Sequence, residues 1–285
     1  MIRTCLEMMK YRGRVIIFLW GAFIGALLAG HETGIQPLFP TVAGPITMYI
    51  VGLFAYIYND IRDIDADRIN SSDRPIPSGR VSKWQATKLV ITLATLAIVL
   101  SLLLNPFVLA TALFGIFLGL IYSTPPIALK NRPLSKWLIT SLWCGVASMG
   151  GSLAVSHIVT GKTLYAAILF IVQGLACSPM ADMMDITGDR TAGKRTIAVV
   201  LGPDLTAKMS AALLVLSWIL TVFTFNVLGF NLFFPILLGT LYMMFIRWTF
   251  MLTKRLDDKT YRASILKKAP LASIAMNLSL IIGVV

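Results

Sequence analysis

Along the chain, apolar residues gather into nine long runs, at about 14–30, 41–58, 84–104, 107–122, 137–155, 163–181, 209–229, 232–252 and 270–285, separated by short polar stretches. Each approaches the roughly 20 residues that an α-helix needs to cross a hydrocarbon layer about 30 Å thick. Pro45, Pro106 and Pro235 interrupt or border three of the runs, a break that lipid tolerates where neighbouring helices satisfy the freed backbone groups. The first run lacks a small-residue cleavage site and is followed by further runs, so it reads as a retained span rather than a removed leader. The predicted fold is all-α and integral to the membrane: nine transmembrane helices in a bundle, one domain over residues 1–285, with a cytoplasmic cap of two Asp-rich loops at about 59–83 and 182–206.

Composition agrees. Of the 285 residues, 57% are hydrophobic and 13% charged, and the mean hydropathy is +0.80, whereas a soluble domain carries about 25% charged residues. Twenty-four of the 25 Lys and Arg residues fall before span one or after spans two, four, six and eight, or close to those ends, leaving Lys162 alone on the other side. Basic residues are retained in cytoplasmic segments, so the pattern predicts a cytoplasmic N-terminus and an external C-terminus in the cell membrane. The net charge of +12 is explained by topology against an anionic leaflet, without nucleic acid as a partner. Cys5, Cys144 and Cys177 have neither disulfide-framework nor zinc spacing and read as reduced.

The acidic residues follow a different rule. Eight of the 13 lie in two stretches: Asp60, Asp63, Asp65, Asp67 and Asp73 after span two, and Asp182, Asp185 and Asp189 after span six. Aligned without gaps at an offset of 122, Asn59–Arg68 and Ala181–Arg190 share three aspartates, an isoleucine and the closing arginine, the mark of a duplicated four-helix unit. If each stretch continues its span as a helix, Asp60, Asp63 and Asp67 share one face at i, i+3 and i+7, and so do Asp182, Asp185 and Asp189.

Clustered carboxylates at a membrane edge repel one another, most strongly where water is excluded. A bound cation relieves that cost, and ligands that are all oxygen point to a hard ion, Mg²⁺ before Ca²⁺ or Mn²⁺. Mg²⁺ takes one or two carboxylates plus waters and substrate phosphates, so two clusters predict two Mg²⁺ ions clamping one polyphosphate. The plainer alternative pairs the aspartates with Arg62, Arg68 and Arg190 at a solvated helix end.

Asn59-Asp60-x-x-Asp63-x-x-x-Asp67 resembles the first aspartate motif of the UbiA superfamily of intramembrane prenyltransferases. Asp182-x-x-Asp185-x-x-x-Asp189, followed by Arg190 and Ala192-Gly-Lys-Arg-Thr196, resembles its second, and Tyr122-Ser-Thr-Pro-Pro-Ile-Ala-Leu-Lys130 a third signature. Asp73-Arg-Pro-Ile-Pro-Ser-Gly79 is similar to the branch of digeranylgeranylglyceryl phosphate and chlorophyll synthases. The resemblance implies that Asn59, Asp63, Asp185 and Asp189 hold two Mg²⁺ on the diphosphate of an isoprenyl donor, with Asp60, Asp67 and Asp182 as further members of the metal set. It implies Asp63, Asp185, Lys130 and Tyr122 as catalytic groups. Substrate-binding roles fall to Asn59, Ser123, Arg68, Arg74, Lys194 and, at the head of helix one, Arg14, where many relatives carry an asparagine. Arg74, Lys194 and Arg14 are equally readable as topology anchors. Ahead of the second motif, relatives carry an arginine–acid pair and a lysine where this chain has Cys177-Ser-Pro-Met-Ala181.

The chemistry stands without the family. Breaking an allylic carbon–oxygen bond leaves a carbocation and a diphosphate, so the main task is to stabilise charge on the departing oxygens. A bundle opening to lipid houses the isoprenyl chain and a lipophilic acceptor away from water. Tyr56, Tyr58, Trp143 and Phe117 are aromatic candidates for steadying positive charge. The acceptor reads as a lipid-pathway alcohol such as geranylgeranylglyceryl phosphate; an aromatic acceptor or intramolecular cyclisation remains open. A transporter with interrupted helices is the reading from another class, but its charges would be expected near the midplane. His31 and His157 stand singly, without metal-ligand spacing.

Overall fold

In hydrocarbon a backbone has only itself for hydrogen bonding, and long apolar runs therefore become helices. The computed structural model describes residues 2–70, 73–191 and 193–285, with the side chains of Arg14, Ala66, Ile69 and Asn70 outside the described set. The expectation placed on Arg14, and Ala192 of the second motif, thus lie outside the described residues.

The first half comprises α1 (Ile2–Tyr11), α2 (Ile16–Thr33), α3 (Leu38–Arg62), α4 (Ile64–Asn70), α5 (Lys83–Leu104) and α6 (Pro106–Ser123). The second comprises α7 (Pro133–Val155), α8 (Gly161–Met184), α9 (Ile186–Thr191), α10 (Ile197–Leu201), α11 (Pro203–Thr224), α12 (Phe233–Thr253) and α13 (Lys259–Ile282). Among the described residues there is no strand, and α2, α3, α5, α6, α7, α8, α11, α12 and α13 are each long and apolar enough to cross a membrane. The protein is a multi-pass membrane protein. Leu102, Leu103, Phe223 and Met243 stand exposed on its spans, where lipid rather than water is their neighbour.

Start signals are local. Ser82 and Thr160 form capping boxes for α5 and α8, and Asn105 accepts two backbone N–H groups at the head of α6, with Pro106 at its first position. Two boundaries depart from the apolar runs. The seventh span starts at Pro203 rather than 209, because proline at the first helical position follows Gly202, whose φ of +78° suits glycine. The ninth starts at Lys259 rather than 270: Asp258 caps it and its basic first turns are helical, with Pro270 inside the helix.

The expected continuous aspartate faces do not form. α3 stops at Arg62 with Asp63 as its C-cap (φ −103°, ψ 6°), and α8 stops at Met184 with Asp185 in the same role (φ −105°, ψ 8°). The three aspartates of each stretch are thereby divided between the end of one helix and the short helix after it. The 122-residue offset carries one break onto the other, and α2, α3, α4, α5 and α6 correspond to α7, α8, α9, α11 and α12, with α10 and α13 added.

There are two buried clusters, one centred on Phe54, Ile57 and Leu89 and drawing Ile139, Trp143 and Ala147 from α7, the other on Phe234, Leu238, Tyr242 and Met276 and drawing Ile24 and Leu28 from α2. The halves join along α2 and α7, whose backbones nearly touch: a Cβ on Gly25 would lie 2.0 Å from the Ser148 carbonyl oxygen, and one on Gly151 1.8 Å from that of Ala22. Small residues permit this approach, the usual basis of helix association in lipid. Gly151→Ala is expected to lower stability by at least about 1–3 kcal/mol, the scale of overpacking, read as a fall in thermal midpoint in detergent. Gly13→Ala, with nothing within 4 Å of its added Cβ, should leave the midpoint unchanged.

Candidate active site

α3 and α8 both end at an aspartate at one end of the bundle, and polar side chains around the first break face inward. There a cavity of about 680 Å³ opens, lined at its mouth by Asn59, Asp63, Asp67 and six cations: Arg12, Arg74, Lys130, Lys136, Lys194 and Arg195. Deeper, its walls are Phe18, Ala55, Tyr56, Gly119, Tyr122, Ile139 and Trp143 from α2, α3, α6 and α7. A charged mouth above an apolar, aromatic interior fits an amphipathic ligand with an anionic head.

The first motif forms one hydrogen-bonded network. Asn59 donates through Nδ2 to Asp63 Oδ2 at 3.0 Å, while its Oδ1 accepts from Ser123 Oγ at 3.0 Å and from Lys130 Nζ at 3.3 Å. Lys130 Nζ also pairs with Asp63 Oδ1. A helical turn over Leu129–Asn131 carries Lys130 into place, entered through Ala128 at φ +32°. That left-handed conformation is strained for a residue with a Cβ and persists only where its surroundings hold it.

Asp60 is 3% exposed and gripped by Arg12, with Nε on Oδ2 at 3.0 Å and Nη2 on Oδ1, while Arg74 approaches at 3.7 Å. Arg74 pairs with Asp67 and donates from Nε to Tyr11 Oη at 3.1 Å. The Arg12 guanidinium lies 5.3 Å from the centre of the Tyr56 ring. Burial pushes the Asp67 carboxyl above its ordinary range; Arg74 opposes the rise, and Asp63 and Asp60 add to it.

The second motif repeats the pairing. Lys136 Nζ donates to Asp182 Oδ1 at 2.8 Å, and Lys194 Nζ lies 3.4 Å from Asp189 Oδ1. Lys136, in the first turn of α7, pairs with Asp182 as Arg12 pairs with its repeat counterpart Asp60, although the two cations are not at equivalent positions of the repeat. The stretch reaches the cavity through Gly193, Lys194, Arg195 and Thr196. Asp185 is exposed; neither it nor Asp189 is among the cavity-lining residues.

Of the expected site residues, the cavity thus gathers Asn59, Asp63, Asp67, Arg74, Tyr122, Lys130 and Lys194 directly, with Ser123 and Asp60 behind them. Arg68 lies apart: it is two-thirds exposed and pairs with Asp65 at 3.3 Å. Of the aromatic candidates, Tyr56 and Trp143 line the cavity; Tyr58 bonds to Thr124 at 2.7 Å, and Phe117 is exposed on the outside. Arg12 and Lys136 had stood only as topology residues. The repeat applied to basic residues pairs Lys136 with Arg14 and so points to Lys136, whereas Arg12, whose counterpart at the 122-residue offset is Leu134, carries no such signal.

Among the described residues, no three His, Cys, Asp or Glu side chains are close enough together to hold a metal ion by themselves. The donors present are nonetheless oxygens of Asn59, Asp63 and Asp67 facing a cavity, and a hard ion completed by waters and substrate phosphates needs only one or two of them. The donor set fits such an ion.

Residues 18–276 match the model of the UbiA prenyltransferase family. The chain is 33% identical over 224 residues to a digeranylgeranylglyceryl phosphate synthase of Sulfurisphaera tokodaii, covering 78% of this chain and 77% of that protein. A solved structure described for digeranylgeranylglyceryl phosphate synthase in membranes superposes with a TM-score of 0.76 at 22% identity, covering 99% and 98% of the two chains. A UbiA homologue of Archaeoglobus fulgidus bound to GPP and Mg²⁺ gives 0.69 at 19% identity, covering 94% and 99%; at those identities the two structures show the shared fold. With an aspartate at each helix break, cations around a single mouth and a greasy interior below, the chain belongs to the UbiA prenyltransferase family.

Proposed function

We propose that this prenyltransferase transfers a long isoprenyl group, geranylgeranyl, from its diphosphate to the hydroxyl of a lipophilic alcohol bearing a phosphate, of the geranylgeranylglyceryl phosphate type, in a Mg²⁺-dependent reaction. The observation that carries the reading is the cavity mouth, where six cations face two carboxylates over an apolar interior. The relative from Sulfurisphaera tokodaii, named for the same product class, supports it. The proposed orientation puts the N-terminus and the site in the cytoplasm and the C-terminus outside, from the distribution of basic residues.

Two Mg²⁺ ions are proposed, one held by Asn59, Asp63 and Asp67, the other by Asp185 and Asp189; when bound, they act as Lewis acids that draw charge from the leaving diphosphate. Lys130 and Arg74 offer fixed cations to its oxygens as the allylic carbon–oxygen bond breaks, and Lys194 and Arg195 do so from the opposite rim. Arg12 and Lys136 hold Asp60 and Asp182, so those carboxylates support the rim rather than binding metal directly. Tyr122 stands beside the reacting end, and the faces of Tyr56 and Trp143 offer their π-electrons to the developing cation. Phe18, Ile139 and Gly119 keep water from the cation, and the acceptor hydroxyl oxygen then forms the new carbon–oxygen bond while its proton passes to the departed diphosphate.

Two expectations follow. In purified protein given radiolabelled geranylgeranyl diphosphate, Mg²⁺ and acceptor, Asp63→Ala and Asp185→Ala should each cut diphosphate release by about 10²-fold or more, the scale of a lost charge-stabilising group. Both should still elute as folded monodisperse protein; activity within a few-fold of the parent would overturn the assignment. Chelation of divalent ions should abolish turnover in the parent and added Mg²⁺ restore it. Release without any acceptor would favour cyclisation, and an intact donor would favour a transporter.

A further inference from the structure

A second cavity, of about 450 Å³, lies between α12 and α13 and shares no lining residue with the first. Its walls are Met243, Met244, Met251, Trp248 and Ile265, and it carries two cations, Arg247 and Lys268. The α12 C-terminus and the α13 N-terminus lie at the Asp-bearing end of the bundle, where Arg262 of α13 donates to the Met184 carbonyl of α8 at 2.8 Å. Arg247 is six residues inside the end of α12 and Lys268 nine inside the start of α13. At 1.5 Å per residue Arg247 stands about 9 Å inside the end of α12, while Lys268 stands just ahead of the apolar run that begins near residue 270, so both side chains reach the groove near its polar end.

Cations at headgroup level beside an apolar groove attract an anionic lipid partner. None of the ion pairs among the described residues involves Arg247 or Lys268. The nearest acidic residues in sequence are Asp257 and Asp258 in the connecting loop, and Asp258 accepts the Tyr261 backbone N–H as the cap of α13. Tyr261 closes the polar end of the groove by donating from its hydroxyl to the Trp248 carbonyl at 3.3 Å. Two cations near headgroup level above a methionine-lined, lipid-accessible cleft match a phosphate with an acyl or isoprenyl chain beneath it.

We propose that this groove is a binding site for an anionic membrane phospholipid, separate from the donor and acceptor sites. Arg247 and Lys268 hold the phosphate, and the Met243–Met251 face of α12 with Ile265 of α13 receives the first part of the chain. The lipid acts as a resident clamp between α12 and α13.

The test uses the full chain in detergent and native mass spectrometry with phosphatidylglycerol or phosphatidylcholine of identical acyl chains. The parent should retain one phosphatidylglycerol per chain in preference to phosphatidylcholine. With each basic side chain near a membrane surface worth about 1 kcal/mol, Arg247→Gln/Lys268→Gln should lose that preference by about tenfold or more. Arg247→Lys/Lys268→Arg should keep it, so a folding defect in the first variant leaves the parent and this variant to decide. Prenyl transfer in phosphatidylcholine vesicles should be equal in the parent and the Gln variant, because neither side chain lines the first cavity. Equal retention of both lipids by the parent, an unchanged preference in the Gln variant, or displacement of phosphatidylglycerol by millimolar inorganic phosphate would each overturn the proposal.

Discussion

A carboxylate at the edge of a hydrocarbon layer must be neutralised, and the architecture of this protein follows from that requirement. Asp60, Asp63, Asp67, Asp182 and Asp189 each face a basic side chain supplied by another segment or the next turn. Arg12 from before α2, Lys130 from after α6 and Lys136 from α7 reach across the bundle to do so. Separating Arg12 from Asp60 would leave a charge stranded in a poorly solvated place, a far larger penalty than the modest net gain from making the pair. The pairs therefore act mainly as registration devices, fixing where the helix ends stand relative to one another.

That registration has a functional side. Six cations and two carboxylates line the cavity mouth, with Asp60, Asp182 and Asp189 paired to three of those cations from behind, so the groups that meet a ligand are mostly cationic and suit a polyanion. Asp63 and Asp67 nevertheless face the cavity, within reach of a cation that binds together with that polyanion. Below them the walls turn apolar within about two helical turns, the gradient that an isoprenyl diphosphate requires. The close contact of α2 with α7 brings the two halves near enough for one cavity to draw on both.

Much of this was legible in the sequence because hydropathy in a membrane protein is a nearly direct record of which segments must be helical. The nine spans and the duplicated motifs could be read that way. Helix ends were harder: Pro203 and the basic opening of α13 extend helices beyond the apolar runs, since capping and turn chemistry decide where a helix starts. The i, i+3, i+7 spacing assumed an unbroken helix, and Asp63 and Asp185 are where the helices break; in the first motif the aspartates still converge, with Asp60 and Asp67 both within reach of Arg74. Arg12 and Lys136 were hidden for another reason. A positive charge at a membrane boundary carries the same topology signal whether or not it grips a carboxylate, and only the fold separates those uses.

The central claim is that the two helix breaks serve one polyphosphate together through divalent ions. Anomalous scattering from crystals grown with Mn²⁺ and a non-reactive thio-analogue of geranylgeranyl diphosphate tests it most directly. The account predicts two peaks bridged by the analogue's phosphates, one against Asn59 and Asp63 and the other against Asp185 and Asp189. A bound analogue with no metal at either break, or with metal confined to one, would contradict it.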